Sequence, residues 1–149
     1  DGIVTPFEFA LQKLLLRSLA LGHAPGAAMV RYYSFNAVVE EIAVVLSALA
    51  RAAGNRGLGA AEVFAAGAAQ IKMIEHRLAF LDPAACDLTA LDVALDKLAA
   101  ASGPIKQRTL VACAHVVGAD GQILIAEAEL LRAISAALDC PMPPLTATA

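Results

Sequence analysis

Four carboxylates occupy matching places in two parts of the chain and are its first candidates for chemistry. Asp1 stands before a glycine with Glu8 seven positions later, and Asp120 and Glu127 repeat that spacing. Acidic residues beside glycine turns suit hard cations such as Ca²⁺, but a calcium loop also needs oxygen ligands at alternating positions, which these segments lack. We therefore expect the carboxylates to cap helices and turns, with a metal site as the alternative.

The histidines and cysteines do not form a catalytic or metal-binding motif. The histidines are His23, His76 and His115, and the cysteines are Cys86, Cys113 and Cys140. None forms the HExxH or CxxC pattern, and an odd number of distant cysteines favours buried thiols in a reducing compartment. Cys113 and His115 are two apart, whereas joint metal ligation needs residues three or four apart on one helix face. Because their helix is mostly apolar, we expect both to pack in the core. With no phosphate loop and no nucleophile beside a base, we expect no enzyme and no cofactor.

The composition and charge indicate a soluble domain without a nucleic-acid surface. The 149 residues carry a net charge of −3, and the eleven Lys and Arg residues are scattered rather than gathered in a stripe. The chain is 59% hydrophobic, yet no window contains the ~20 consecutive apolar residues of a membrane span. It does not open with the basic segment of a signal peptide. We therefore expect one cytoplasmic domain over residues 1–149.

Helical spacing of apolar residues runs through most of the chain. Alanine, the strongest helix former, makes up about a quarter of the residues, and no segment alternates with period two. Thr89 and Asp92 form a capping box, and Pro104 takes the favoured first position of the following helix. These features predict an all-α bundle of about six helices, over about residues 6–22, 36–53, 60–78, 89–101, 104–120 and 126–138.

The helix predicted over residues 36–53 has two distinct faces. Its apolar face contains Val38, Ile42, Val45, Leu46 and Leu49. Its polar face contains Glu40, Ser47 and Arg51. We expect the apolar face to enter the core and the polar face to meet water.

Two pairs of large side chains are candidate contact surfaces. Phe9 and Leu16 lie opposite the core stripe of the first helix, so another helix or a second copy of the chain should cover them. Tyr32 and Tyr33 either form a small binding surface with their neighbours or anchor the start of the second helix. We therefore expect protein partners or self-association.

An internal duplication is the most informative feature of the sequence. The segment DGIVTPFEFALQK at residues 1–13 aligns without a gap with DGQILIAEAELLR at residues 120–132. In each copy the Gly permits a tight corner between helices, and the Glu reaches unpaired amides in the first turn of the new helix. An apolar helix precedes the second copy and nothing precedes the first, so we expect a fragment truncated before Asp1.

The doubled Asp-Gly-x-aliphatic-x3-Glu corner in an Ala-rich helical chain resembles the tellurite-resistance TerB-like fold. More narrowly, three segments resemble the C-terminal, TerB-like region of bacterial integral-membrane zinc metallopeptidases of the HtpX and CAAX-protease type. These segments are FEFALQKLLLRSL, RYYSFNAVVEEIAVVLSALARAAG and ADGQILIAEAELLRAISAALDCPMPP. The resemblance covers most of the chain and is weakest over residues 60–101.

The resemblance implies an accessory domain that is separated from its peptidase. In that family an HExxH motif holds zinc and supplies the general base, and this chain lacks the motif. The implied function is a non-catalytic regulatory or interaction domain at the cytoplasmic face of the inner membrane, with zinc only in the parent's peptidase part. The alternative is a stand-alone TerB-like stress protein that binds a metal ion through its acidic corners, Asp1, Glu8, Asp120 and Glu127.

Overall fold

Helices account for the regular structure of the described residues. The computed structural model describes residues 30–53, 59–86, 88–118 and 125–138. Its five α-helices are α1 (Val39–Ala53), α2 (Ala60–Ala68), α3 (Leu88–Ala99), α4 (Gly103–Val117) and α5 (Ile125–Leu138). Short 3₁₀-helices occur at Phe35–Val38, Glu75–Arg77 and Pro83–Cys86. No β-strand occurs within the described ranges, so the all-α prediction is confirmed for them.

Helix α1 is the centre of the described fold and packs against α2, α3 and α4. The 3₁₀-helix that leads into it is capped by Ser34, whose side-chain oxygen accepts a hydrogen bond from the backbone N–H of Asn36 at 3.2 Å. Such a cap satisfies an amide that has no partner within the helix. The predicted apolar face is confirmed, because all of its members are buried: Val38, Ile42, Val45, Leu46 and Leu49.

The prediction that Ser47 faces water is wrong, because an irregular segment crosses that side of α1 and buries it. The Ser47 hydroxyl accepts a hydrogen bond from the N–H of Leu81 at 3.0 Å. The guanidinium of Arg51, one turn later, donates to the carbonyl oxygen of Leu81. Arg51 also lies over the Phe80 ring, 4.4 Å from its centroid, in a cation–π contact. These bonds satisfy backbone groups that have no partner in a helix or sheet.

Helix α2 ends at Ala68, well before the end predicted at residue 78. Beyond it, N–H groups donate to the carbonyl three residues earlier, from Gln70 to Gly67 and from Ile71 to Ala68, each at 3.0 Å. Such turns repeat every three residues, close to the period of an α-helix, so apolar residues at this spacing can still face inward. The buried residues in this stretch are Ile71, Ile74 and Leu78. The apolar spacing therefore predicted burial correctly but could not distinguish these turns from a continuous helix.

The later helices follow their predicted bounds with small shifts. Helix α3 already begins at Leu88, so Thr89 lies inside its first turn and is not the predicted cap. Pro104 lies in the first turn of α4, where its missing N–H leaves no helical hydrogen bond unmade. That helix ends at Val117, with Gly118 as its C-cap, rather than at residue 120. Helix α5 ends at Leu138, as predicted.

Helices α2 and α4 approach each other so closely that one position requires glycine. Gly67 is buried in α2. A Cβ atom at this position would overlap the side chain of Val116 and would lie 2.9 Å from the carbonyl oxygen of Ala112. The second of these neighbours belongs to the backbone of α4, so the contact could be relieved only by moving a helix.

The core extends from α1 into α3, α4 and α5 and is mainly aliphatic. Its largest fully buried side chains in these last three helices are Leu95, Leu98, Ile105, Leu110, Leu131, Ile134 and Leu138. None of the helices within the described ranges is long and apolar enough to cross a lipid bilayer.

Candidate functional site

Most of the predicted site residues lie outside the described part of the chain. These are Asp1, Glu8, Phe9, Leu16 and Asp120. Glu127 lies near the start of α5. Within the described ranges, no group of three or more His, Cys, Asp or Glu residues is placed to hold a metal ion. The metal site and the apolar contact through Phe9 and Leu16 therefore stay predictions.

The two tyrosines before α1 have different environments. Tyr32 is half-buried against the core, and the Lys97 ammonium lies 5.2 Å from its ring centroid. Its backbone is held on both sides, because its N–H donates to Ala100 at 3.2 Å and its carbonyl accepts from Ser102 at 2.8 Å. Tyr33 is 77% exposed. Tyr32 thus anchors the segment that leads into α1, whereas Tyr33 is available for contact with other molecules.

Cys113 and His115 lie on different sides of α4. Cys113 is fully buried, as predicted, and desolvation raises the pKa of its thiol to about 12, only partly offset by a backbone hydrogen bond. The prediction that His115 packs in the core is wrong, because its ring is exposed. Its Nδ1 lies 2.9 Å from the carbonyl oxygen of Val111, one turn earlier. Residues two positions apart on a helix lie about 200° apart around its axis, which explains why one is buried and the other is exposed.

We expect Cys113 to resist alkylation by iodoacetamide in the native protein at about pH 8, because only the thiolate reacts. Its folded pKa of about 12 lies above the ordinary 9.0. Burial of the neutral thiol therefore contributes stability that is fully present below about pH 9 and is lost as the pH rises towards 12. Site-resolved mass spectrometry with and without urea measures the labelling. Rapid labelling of Cys113 without urea would contradict its burial.

A groove of about 380 Å³ opens between the 3₁₀-helix before α1, the turn after α2, and α4. It is lined by Phe35, Ala69, Gln70, Ile71, Lys72, Met73 and Arg108. We call it the cationic groove, because two of these side chains are positively charged and none is acidic. Its volume lies within the range of about 300 to 1,000 Å³ that is typical of small-molecule sites.

The cationic groove combines an apolar surface with two free charges. Phe35 packs partly against the core and Ile71 is buried, whereas Met73 is 68% exposed. Lys72 and Arg108 are exposed, and neither forms an ion pair with any described residue. One feature of the sequence indicates an exposed apolar side chain here, because Met73 lies off the apolar stripe of its segment. No feature of the sequence indicates that Arg108, far along the chain, lines the same groove as Met73.

A second groove, of about 440 Å³, lies between α1 and the start of α3. Its lining residues are Glu40, Glu41, Val44, Ala84, Thr89, Ala90, Val93 and Ala94. Glu41 pairs with Lys97 at 3.3 Å, so part of the negative charge is already compensated. Val93 is 60% exposed at this surface. We call this the acidic groove.

Comparison of the chain with known protein families, with curated proteins and with solved structures found no match. The described residues are all-α, and their surface includes the cationic groove and the acidic groove.

Proposed function

We propose that this chain is a non-catalytic helical domain that binds protein partners through its helix surfaces. The observation that carries the proposal is Met73, which is 68% exposed in the cationic groove. Covering such an apolar side chain is worth roughly 25 cal/mol per Å² of surface removed from water. Methionine is also common at protein-binding surfaces, because its flexible thioether adapts to different partners.

The scaffold beneath Met73 supports this function, because a partner would meet an ordered surface. The flanking Ile71 and Ile74 are both buried, and the N–H of Ile74 donates to the carbonyl of Ile71 at 3.1 Å. The turn that presents Met73 is therefore fixed at both sides. Binding to a preorganised surface costs less conformational entropy than binding that must order a loop.

For the parent protein we propose a bacterial membrane-bound zinc metallopeptidase of the HtpX and CAAX-protease type. This part of the proposal rests on the resemblance of three segments of the chain to the TerB-like C-terminal region of those enzymes. In such a protein the domain would lie at the cytoplasmic face of the membrane and regulate the peptidase through contacts. Zinc would be held by the HExxH motif of the peptidase part.

The coding sequence upstream of Asp1 tests this assignment. We expect it to encode membrane spans and an HExxH motif. Deleting the helical domain from that full-length protein should then change the cleavage rate of a membrane-bound reporter, whereas the zinc content should stay the same. A coding sequence without a peptidase would contradict the proposed parent, and an unchanged cleavage rate would contradict a regulatory role.

A second candidate function is that of a TerB-like stress protein that binds a metal ion. The repeated spacing of Asp1 with Glu8 and of Asp120 with Glu127 favours it. Calorimetric titration with Ca²⁺, Zn²⁺ and tellurite separates the two candidates. Binding that is lost in both Glu8→Gln and Glu127→Gln would place the metal function first, and the absence of binding heat would remove it.

A further inference from the structure

The charges around the cationic groove favour a partner of opposite sign. Lys72 lies on the turn after α2 and Arg108 lies on α4, and no acidic side chain lines the groove. The chain as a whole carries a net charge of −3, so this groove is a local positive region on an acidic protein. Because salt limits electrostatic attraction to about 8 Å at physiological ionic strength, a bound partner senses these two nearby cations more than the distant net charge.

The groove also has an apolar surface that a purely charged partner would leave uncovered. Met73 is exposed and lines the groove together with the two charged side chains, and Phe35 and Ile71 lie in the same groove. Exposed ion pairs alone are each worth only about 0 to 1 kcal/mol. A partner of useful affinity must therefore contribute apolar groups as well as carboxylates.

The backbone of the groove favours a helical partner over an extended one. The N–H groups of Gln70, Ile71 and Ile74 donate to carbonyls of their own segment at 3.0 to 3.1 Å. The segment continues through residues 72–74 as a turn and not as an extended strand, so it offers no straight edge to which an extended peptide could add. An amphipathic helix needs no backbone contact, because it places its apolar face in a groove through side chains three and four positions apart.

We propose that the cationic groove binds an acidic amphipathic helix of a partner protein. Apolar residues of that helix cover Met73, and its carboxylates face Lys72 and Arg108. The proposal rests on the interaction function proposed above and names the kind of partner that this function needs.

Peptide selection tests the proposal without a known partner. Random peptides of about 16 residues, long enough to form a helix when bound, are displayed on phage and selected on the full chain. We expect the selected peptides to combine Asp and Glu with apolar residues at helical spacing. The selected peptides are then synthesised with a fluorescent label, and their affinity is measured by fluorescence anisotropy.

Groove variants show where the selected peptides bind. We expect Met73→Asp, and separately Lys72→Glu combined with Arg108→Glu, to weaken binding by about tenfold, which corresponds to about 1.4 kcal/mol. Arg132→Glu is the matched control, because Arg132 is exposed on α5 and does not line the groove. It should leave affinity nearly unchanged. Circular dichroism melts of all variants should match the wild type, because the altered side chains are exposed.

Several outcomes would overturn the acidic-helix proposal. These are the absence of selected peptides, selected peptides without acidic residues, and binding that the groove variants do not weaken. Sedimentation of the free chain tests one further outcome. Self-association that Met73→Asp abolishes would overturn the proposal, because a second copy of the chain would then occupy the groove. Peptides that bind elsewhere would overturn the groove as the binding site but would leave the interaction function standing.

Discussion

Replacing Gly67 with alanine is expected to lower the free energy of unfolding by about 2 to 3 kcal/mol. The same change at an open helical position raises stability by up to about 1 kcal/mol, because glycine is the poorer helix former. At Gly67 steric overlap outweighs this gain, since the new methyl group would meet Val116 and the backbone oxygen of Ala112, the latter at 2.9 Å. Urea denaturation followed by circular dichroism measures the change, because the chain has no tryptophan.

Two further variants isolate the steric cause. Gly103→Ala is the matched control, because a Cβ atom there meets nothing within 4 Å. It should leave stability unchanged or raise it by up to about 1 kcal/mol. Val116→Ala in the Gly67→Ala background should give a double variant about 1 kcal/mol more stable than the sum of the two single changes predicts. It should not remove the whole cost of Gly67→Ala, because the Ala112 oxygen belongs to the backbone. Equal stability of Gly67→Ala and Gly103→Ala would show that the α2–α4 contact is looser than described.

Truncation of Leu46 to alanine is expected to cost about 3 kcal/mol, within the range found for fully buried leucines. Leu46 is fully buried in α1, and its Cδ2 lies 3.6 Å from the position that a Cβ atom at Gly67 would take. The change leaves a cavity between α1 and α2. Since domains are stable by only about 5 to 15 kcal/mol, this loss should lower the melting temperature by roughly 10 °C.

Val93→Ala is the control for the Leu46 experiment. It also shortens an aliphatic side chain on a helix, but Val93 is 60% exposed, so the change should stay within about 0.5 kcal/mol. Thermal melts and urea curves of both variants give the comparison, and the urea slope should be that of the wild type. A Leu46→Ala protein as stable as Val93→Ala would contradict the central position of α1.

The contrast between helix α1 and the stretch after α2 shows how far periodicity predicts structure. In α1 the apolar residues Ile42, Val45 and Leu49 were predicted to face the core and are buried. After α2 the same kind of spacing correctly predicted the burial of Ile71 and Ile74 but wrongly predicted a continuous helix. Local spacing reports which side of a segment is apolar. It cannot separate α-helical from 3₁₀ turns, because their periods differ by less than one residue.

The burial of two polar residues was predicted wrongly for a different reason. The helical pattern puts Ser47 on the polar face with Glu40 and Arg51, yet an irregular segment covers it, and the N–H of Leu81 donates to its hydroxyl. The apolar neighbours of His115 predict that it lies in the core, yet it is exposed on α4. Whether a polar side chain is buried depends on what crosses it, and that segment lies far away in sequence.

The amino-acid sequence by itself determined the all-α class, the inward face of α1 and the burial of Cys113, because helix formation and amphipathicity depend on residues within a few turns. Only the tertiary structure decided that Gly67 must lack a side chain, since the clash comes from α4. It likewise decided the cationic groove, where Phe35, Met73 and Arg108 come from separate segments. Such contacts depend on how the helices pack against each other, and no local pattern contains that information.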